Sequence, residues 1–181
     1  MTDSAERDFE LRPGESTPVS TEAELDRALR FRDVMGRFAS GITVVTGLDP
    51  DGGPVGLTCQ AFTSVSLNPP LVLFCPAQTS RAWPVLRASG SFCVNLLAAD
   101  QVEIAAVMAT KGADKFAGLA WTPAPGSGAP VLDGSLGYVD CTIRAVHPGG
   151  DHDVVIGLVR DLAAYDGDAP LVFFRGAYGA L

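Results

Sequence analysis

The chain has 181 residues, a length for one domain or for one domain with an arm. Apolar residues make up 47% and charged residues 19%. That charge share is below the roughly 25% of ordinary soluble domains, so a sizeable core and a buried subunit contact are expected and disorder over the whole length is excluded. Thirteen Lys plus Arg against 21 Asp plus Glu give −8, with no basic stripe for a nucleic acid and only two lysines, Lys111 and Lys115.

Residues 1–20 mix Pro13, Gly14, Ser16 and Pro18 with alternating charges and read as a flexible N-terminal arm, leaving 21–181 as the domain. The first ten residues are acidic and lack the apolar stretch of a secretory signal, so the expected location is cytoplasmic. Thr21 and Glu24 have capping-box spacing, and Leu25, Leu29, Val34, Met35 and Phe38 recur at near-helical intervals, with a break expected near Gly36. The β-branched run Ile42–Thr46, the Asp49–Pro54 turn signal and Val55–Cys59 predict a hairpin. Leu71–Cys75 reads as a buried strand, Ser80–Arg87 as a short helix capped by Ser80, Phe92–Leu97 as a strand and Asp100–Ala109 as a helix. Residues 111–130 read as loop, and Tyr138–Val146, Val154–Leu162 and Leu171–Phe174 complete the strands. The pattern predicts a mainly β chain, an antiparallel barrel decorated by helices. The longest apolar runs, Leu71–Cys75 and Ala105–Ala109, fall far short of the roughly 20 residues of a membrane-spanning helix.

Several familiar motifs are missing. No G-x-G-x-x-G follows a strand, no G-x-S-x-G occurs and Thr110–Ala113 is not a phosphate-binding loop. Cys59, Cys75, Cys93 and Cys141 form no C-x-x-C and read as buried reduced thiols; with only His147 and His152 beside them, no metal site is expected.

Three clusters carry polar chemistry. Thr58, Gln60, Thr63, Ser64 and Ser66 crowd one stretch between apolar strands: either a strand end with solvated hydroxyls or a row of donors lining a heteroaromatic ring or a phosphate. Ser80 and Arg81 at a helix start form either a cap beside a surface cation or an anion site. Gly149 to Asp153 is either an ordinary hairpin turn or a place where the backbone approaches a ligand and His152 stacks or donates.

The segments FRDVMGRFASGITVVTG, GLTCQAFTSVSLNPP and GGDHDVVIG, in this order, resemble the short-chain flavin reductases over residues 30–179. These are the NAD(P)H:flavin oxidoreductase components of two-component flavin-dependent monooxygenases. LVLFCPAQTSRAW, ASGSFCVNLL and SLGYVDCTIRAVHPGGDH are most similar to the reductases serving oxygenases of a phenolic secosteroid, and similar reductases serve antibiotic biosynthesis. The resemblance implies a split β-barrel homodimer that binds FAD or FMN, with FAD slightly favoured, and a nicotinamide nucleotide; the absence of clustered bases around Asp151 and Asp153 points to NADH rather than NADPH. By position, Thr58, Cys59, Gln60, Ala61, Ser64, Val65 and Ser66 would line the isoalloxazine and ribityl chain, and Ser80 and Arg81 would meet the phosphate. Ser40, Thr43 and Phe116 would add to the flavin wall, and Gly150, Asp151, His152 and Asp153 would contact the nicotinamide nucleotide. Gln60 stands where many relatives have Asn.

The implied reaction is hydride transfer from NADH to free flavin, with reduced flavin diffusing to a separate oxygenase; no catalytic side chain, metal, membrane or nucleic acid is implied. The competing readings are an oxidase with tightly held flavin and a flavin-binding module without turnover.

Overall fold

The computed structural model describes residues 7–12, 15–112, 114–167 and 169–180. Part of the expected arm, residues 1–6, 13 and 14, lies outside them. The rest of it pairs as a hairpin of β1 (Arg7–Arg12) and β2 (Glu15–Val19). The capping box then opens α1 (Glu22–Met35): Thr21 Oγ1 accepts from Glu24 N, and Glu24 Oε2 accepts from Thr21 N. The helix ends at Gly36, where the apolar period fails. No residue of α1 is buried, and Phe31 and Phe38 are 69% and 70% exposed.

The central sheet has seven antiparallel strands in the order β5-β4-β8-β11-β12-β7-β6. Its members are β4 (Thr43–Leu48), β5 (Pro54–Cys59), β6 (Phe62–Leu67), β7 (Pro70–Phe74), β8 (Ser91–Leu96), β11 (Gly137–Gly149) and β12 (His152–Ala164). The hairpin predicted around residues 49–54 is β4–β5, with Asp49 Oδ1 accepting from the amides of Asp51 and Gly53. A smaller sheet joins β3 (Ser40–Gly41), β13 (Leu171–Phe174) and β14 (Ala177–Ala180). Within the stretch read as loop, β9 (Trp121–Pro123) pairs with β10 (Pro130–Leu132). The turn residues hid this hairpin; Trp121 anchors it by packing on the core.

β4 has buried residues on both faces because helices cover both sides. Val45 packs with Phe74, Phe92, Val94 and Val155 beneath α2 (Ala82–Ser89). Val44 points the other way, with Leu97, Met108 and Phe116 around α3 (Val102–Ala109). Among the described residues no helix is long and apolar enough to cross a membrane. The described residues are thus mainly β, antiparallel, with three helices among them.

Candidate functional site

A cavity of about 440 Å³ opens where β5, α3, the start of α2 and the β11–β12 turn meet. That size suits a small-molecule or cofactor site. Thr58, Cys59, Gln60 and Ala61 line it where β5 runs out of the sheet. Ser80 and Arg81 line it from the start of α2, Phe116 from the loop after α3 and His152 from the β11–β12 turn. Eight positions singled out in the sequence therefore meet in one place, although they span almost 100 residues.

Several have local duties. Thr58 Oγ1 donates to the Ala105 carbonyl at 2.6 Å, tying β5 to α3. Its lone pairs are what it retains for a ligand. Cys59 Sγ donates to the Ala61 carbonyl at 3.5 Å. Ser80 Oγ accepts from Trp83 N at 3.4 Å, a long bond, and Arg81 stands exposed at the N-cap position of α2. His152 Nδ1 lies 2.8 Å from Asp151 Oδ1, so the exposed Asp151 carboxylate orients the ring.

Other candidates lie apart. Ser64, Val65 and Ser66 sit on the edge strand β6, with a bulge at Val65 against β7. Thr43 lines a second cavity of about 230 Å³ with Phe62 and Leu171, and its hydroxyl donates to the Cys59 carbonyl. Ser40 Oγ is buried with no hydrogen-bond partner among the described residues. Gly150 has φ of +80° at the turn. Asp153 points inward, where its carboxylate accepts from Trp83 Nε1 at 2.8 Å and from Gln78 Nε2 at 3.2 Å.

Sequence reasoning passed over both lysines of the chain, and both line the cavity. Lys115 Nζ donates to the carbonyls of Met108 and Gly56, and burial holds its ammonium below its ordinary pKa. Lys111 is exposed on the lip facing Arg81; a Cβ on neighbouring Gly112 would lie 3.4 Å from Arg81 Nη1. Cys75, also on the wall, has its thiol pKa raised by burial. The scarcity of lysine elsewhere was the signal available. The donor set is hydroxyls, amides and an aromatic edge with two exposed cations at one lip. It fits a planar heteroaromatic ring carrying a phosphate.

The sequence profile of the flavin reductase like domain matches residues 35–181. The chain belongs to the flavin reductase-like family. Residues 1–34 of this flavin reductase-like chain precede the matched region. The chain is 50% identical over 149 residues to the reductase subunit HsaB of a flavin-dependent monooxygenase from Rhodococcus jostii, covering 82% of this chain and 75% of that one. Nitrilotriacetate monooxygenase component B from Mycobacterium thermoresistibile superposes with a TM-score of 0.83 at 45% identity, over 89% of each chain. The NADH:FAD oxidoreductase SgcE6 of Streptomyces globisporus, solved with NAD and FAD fragments, gives 0.80 at 34% identity over 86% of this flavin reductase-like chain and 92% of its own.

Proposed function

We propose that the chain is an NADH-dependent flavin reductase, an NAD(P)H:flavin oxidoreductase supplying reduced FAD or FMN to a separate flavin-dependent monooxygenase. The single observation that carries this reading is the gathering of Thr58–Ala61, Ser80, Arg81, Phe116 and His152 around one cavity in a member of this family. Relatives named as reductase subunits or components of monooxygenases support the partner oxygenase, for which a phenolic secosteroid or a natural-product precursor is the proposed substrate class.

The nicotinamide and the flavin supply the redox chemistry, hydride moving between their rings. The protein positions. Thr58, Cys59, Gln60 and Ala61 would form the wall for the flavin ring, with Phe116 also lining the cavity. Ser80 and Arg81 hold its phosphate, and Lys111 adds a second cation for a diphosphate, which favours FAD. His152, oriented by Asp151, meets the nicotinamide nucleotide with Gly150 at the same turn, while Asp153, buried against Trp83, is withdrawn from that contact. The Asp151 carboxylate beside that subsite disfavours a 2′-phosphate and so favours NADH. Ser64, Val65, Ser66, Ser40 and Thr43 are assigned to the flavin wall on family resemblance alone.

The same reading includes a split-barrel homodimer. Its support is apolar surface that a lone chain leaves wet: Phe31 and Val34 on α1, Phe38 just after it, and Leu67, 94% exposed, at the end of edge strand β6. A reducing cytoplasm suits a chain whose Cys75, Cys93 and Cys141 are free thiols. The reading keeps residues 1–20 as an arm that precedes the domain.

The test follows NADH absorbance in air, with and without added FAD or FMN. Rapid decay that depends on added flavin supports the reductase. Retained flavin bleached only by another substrate supports an oxidase, and no decay leaves a binding module.

A further inference from the structure

The Asp153 carboxylate lies on the far side of its strand from the cavity. Neighbouring residues of a strand face opposite ways, and here His152 turns to the cavity while Asp153 joins Val155 and Gly157 on the core face. Asp153 is only 7% exposed. Trp83 Nε1 donates to Oδ2, Gln78 Nε2 donates to Oδ1, and Arg87 Nη1 lies 3.6 Å from Oδ2. Trp83 and Arg87 are one turn apart in α2, so both partners come from one face of that helix. Trp83 is itself in the core, edge-on to Phe74 at 5.9 Å between ring centres. The backbone repeats the link: Asp153 N donates to Pro76 O at 3.0 Å, and Gln78 N to Asp151 O at 2.9 Å.

We propose that Asp153 is a positioning residue that couples the two subsites. One buried carboxylate fixes both the turn that presents His152 and the helix whose start presents Ser80 and Arg81. This rests on the reductase reading and goes beyond it, because it gives Asp153 a role through Trp83 and not through contact with the dinucleotide. A buried carboxylate that loses a donor is costly, so the turn and the helix hold their relative place. Loosening that link disturbs both ligands at once, whereas loss of His152 disturbs one.

The test compares Trp83→Phe, which keeps the ring and removes the N–H, with Asp153→Asn, Asp153→Leu and His152→Ala in the full chain. Thermal melts select the variants that fold. Trp83→Phe is expected to raise KM for NADH and KM for flavin together, each about fivefold or more, on the scale of a lost hydrogen bond to a charged group. Its kcat is expected to fall by less than about threefold, since groups touching the rings are untouched. Asp153→Asn keeps an oxygen for the indole and is expected to lie nearer wild type than Asp153→Leu. His152→Ala is expected to raise KM for NADH alone. A folded Trp83→Phe that changes neither KM, or only one, overturns the coupling. FMN binding, read from quenching of flavin fluorescence, separates the two ideas. If the wild type binds FMN without oxidising NADH, the reductase reading fails. The coupling then stands if Trp83→Phe weakens FMN binding and falls if it does not. A wild type that binds no flavin overturns both.

Discussion

Lys115 Nζ donates to the Met108 carbonyl at 2.7 Å, closing the C-terminal end of α3 from outside the helix. The last turn of α3 has no basic residue of its own, so this ammonium supplies the cation that the helix dipole favours there. The same group donates to the Gly56 carbonyl and so pins the loop bearing Phe116 against β5. Lys115→Met is expected to cost about 1–2 kcal/mol in urea unfolding, the scale of hydrogen bonds to a charged donor, and to weaken flavin binding as Phe116 loosens. Unfolding and flavin titration curves that overlay those of the wild type would remove Lys115 from this role.

His152 faces the cavity with Asp151 behind it. His152→Ala is expected to weaken NADH use by about 1–2 kcal/mol, as for a lost charged hydrogen bond, while flavin titrations stay close to wild type. Unaltered NADH kinetics would take His152 out of the site.

Gly157 packs in the middle of β12, where an added Cβ would lie 2.5 Å from Phe92 Cζ and 3.2 Å from Cys141 Cβ. Phe92 is fully buried and leans on Phe74 at 4.8 Å between ring centres, so it has little room to retreat. Gly157→Ala is expected to destabilise by about 1–3 kcal/mol, the usual cost of overpacking. Equilibrium denaturation at matched protein concentration checks it; a stabilised variant would show that the ring moves freely.

Alkaline pH offers a test of the core. Burial pushes the Cys141 thiol from 9.0 up to about 12, and burial likewise raises Cys93. A hydrogen bond to Asp161 raises Tyr138. Above pH 9 the unfolded chain releases the Cys141 proton while the folded chain keeps it. Stability is therefore full below pH 9 and declines towards about 12. Lys115 has the opposite sign: its folded value lies below 10.5, so in that window the unfolded chain holds more protons and stability rises. Cys141→Ala is expected to flatten the decline, by at most about 1.4 kcal/mol per pH unit, in urea titrations from pH 8 upward. An unchanged slope would assign the decline to other groups.

Much of the frame was legible where one local signal dominated. Thr21 and Glu24 announced α1, the Asp49–Pro54 turn announced β4–β5, and β-branched runs marked the central strands. β6 was obscured because an edge strand exposes Thr63 and Ser64 and carries a bulge, which erases the alternation. The site was legible as residue types but not as a place, since Thr58, Arg81, Phe116 and His152 converge only through the sheet order. Asp153 lay next to a functional-looking turn, and only the period of β12 reveals that it turns away. Lys115 was hidden in a Gly- and Ala-rich loop with no periodicity to mark its direction.

Val44 and Val45 are consecutive, yet they serve opposite hydrophobic clusters. Inserting one residue just before Val44 would slide the strand by half a pleat, exchanging the two sets of contacts. The layer under α2 and the layer under α3 would both be mispacked by one event. Length in this strand is therefore under tighter constraint than the identity of either valine, and deletions or duplications here should be far rarer among working variants than swaps to isoleucine.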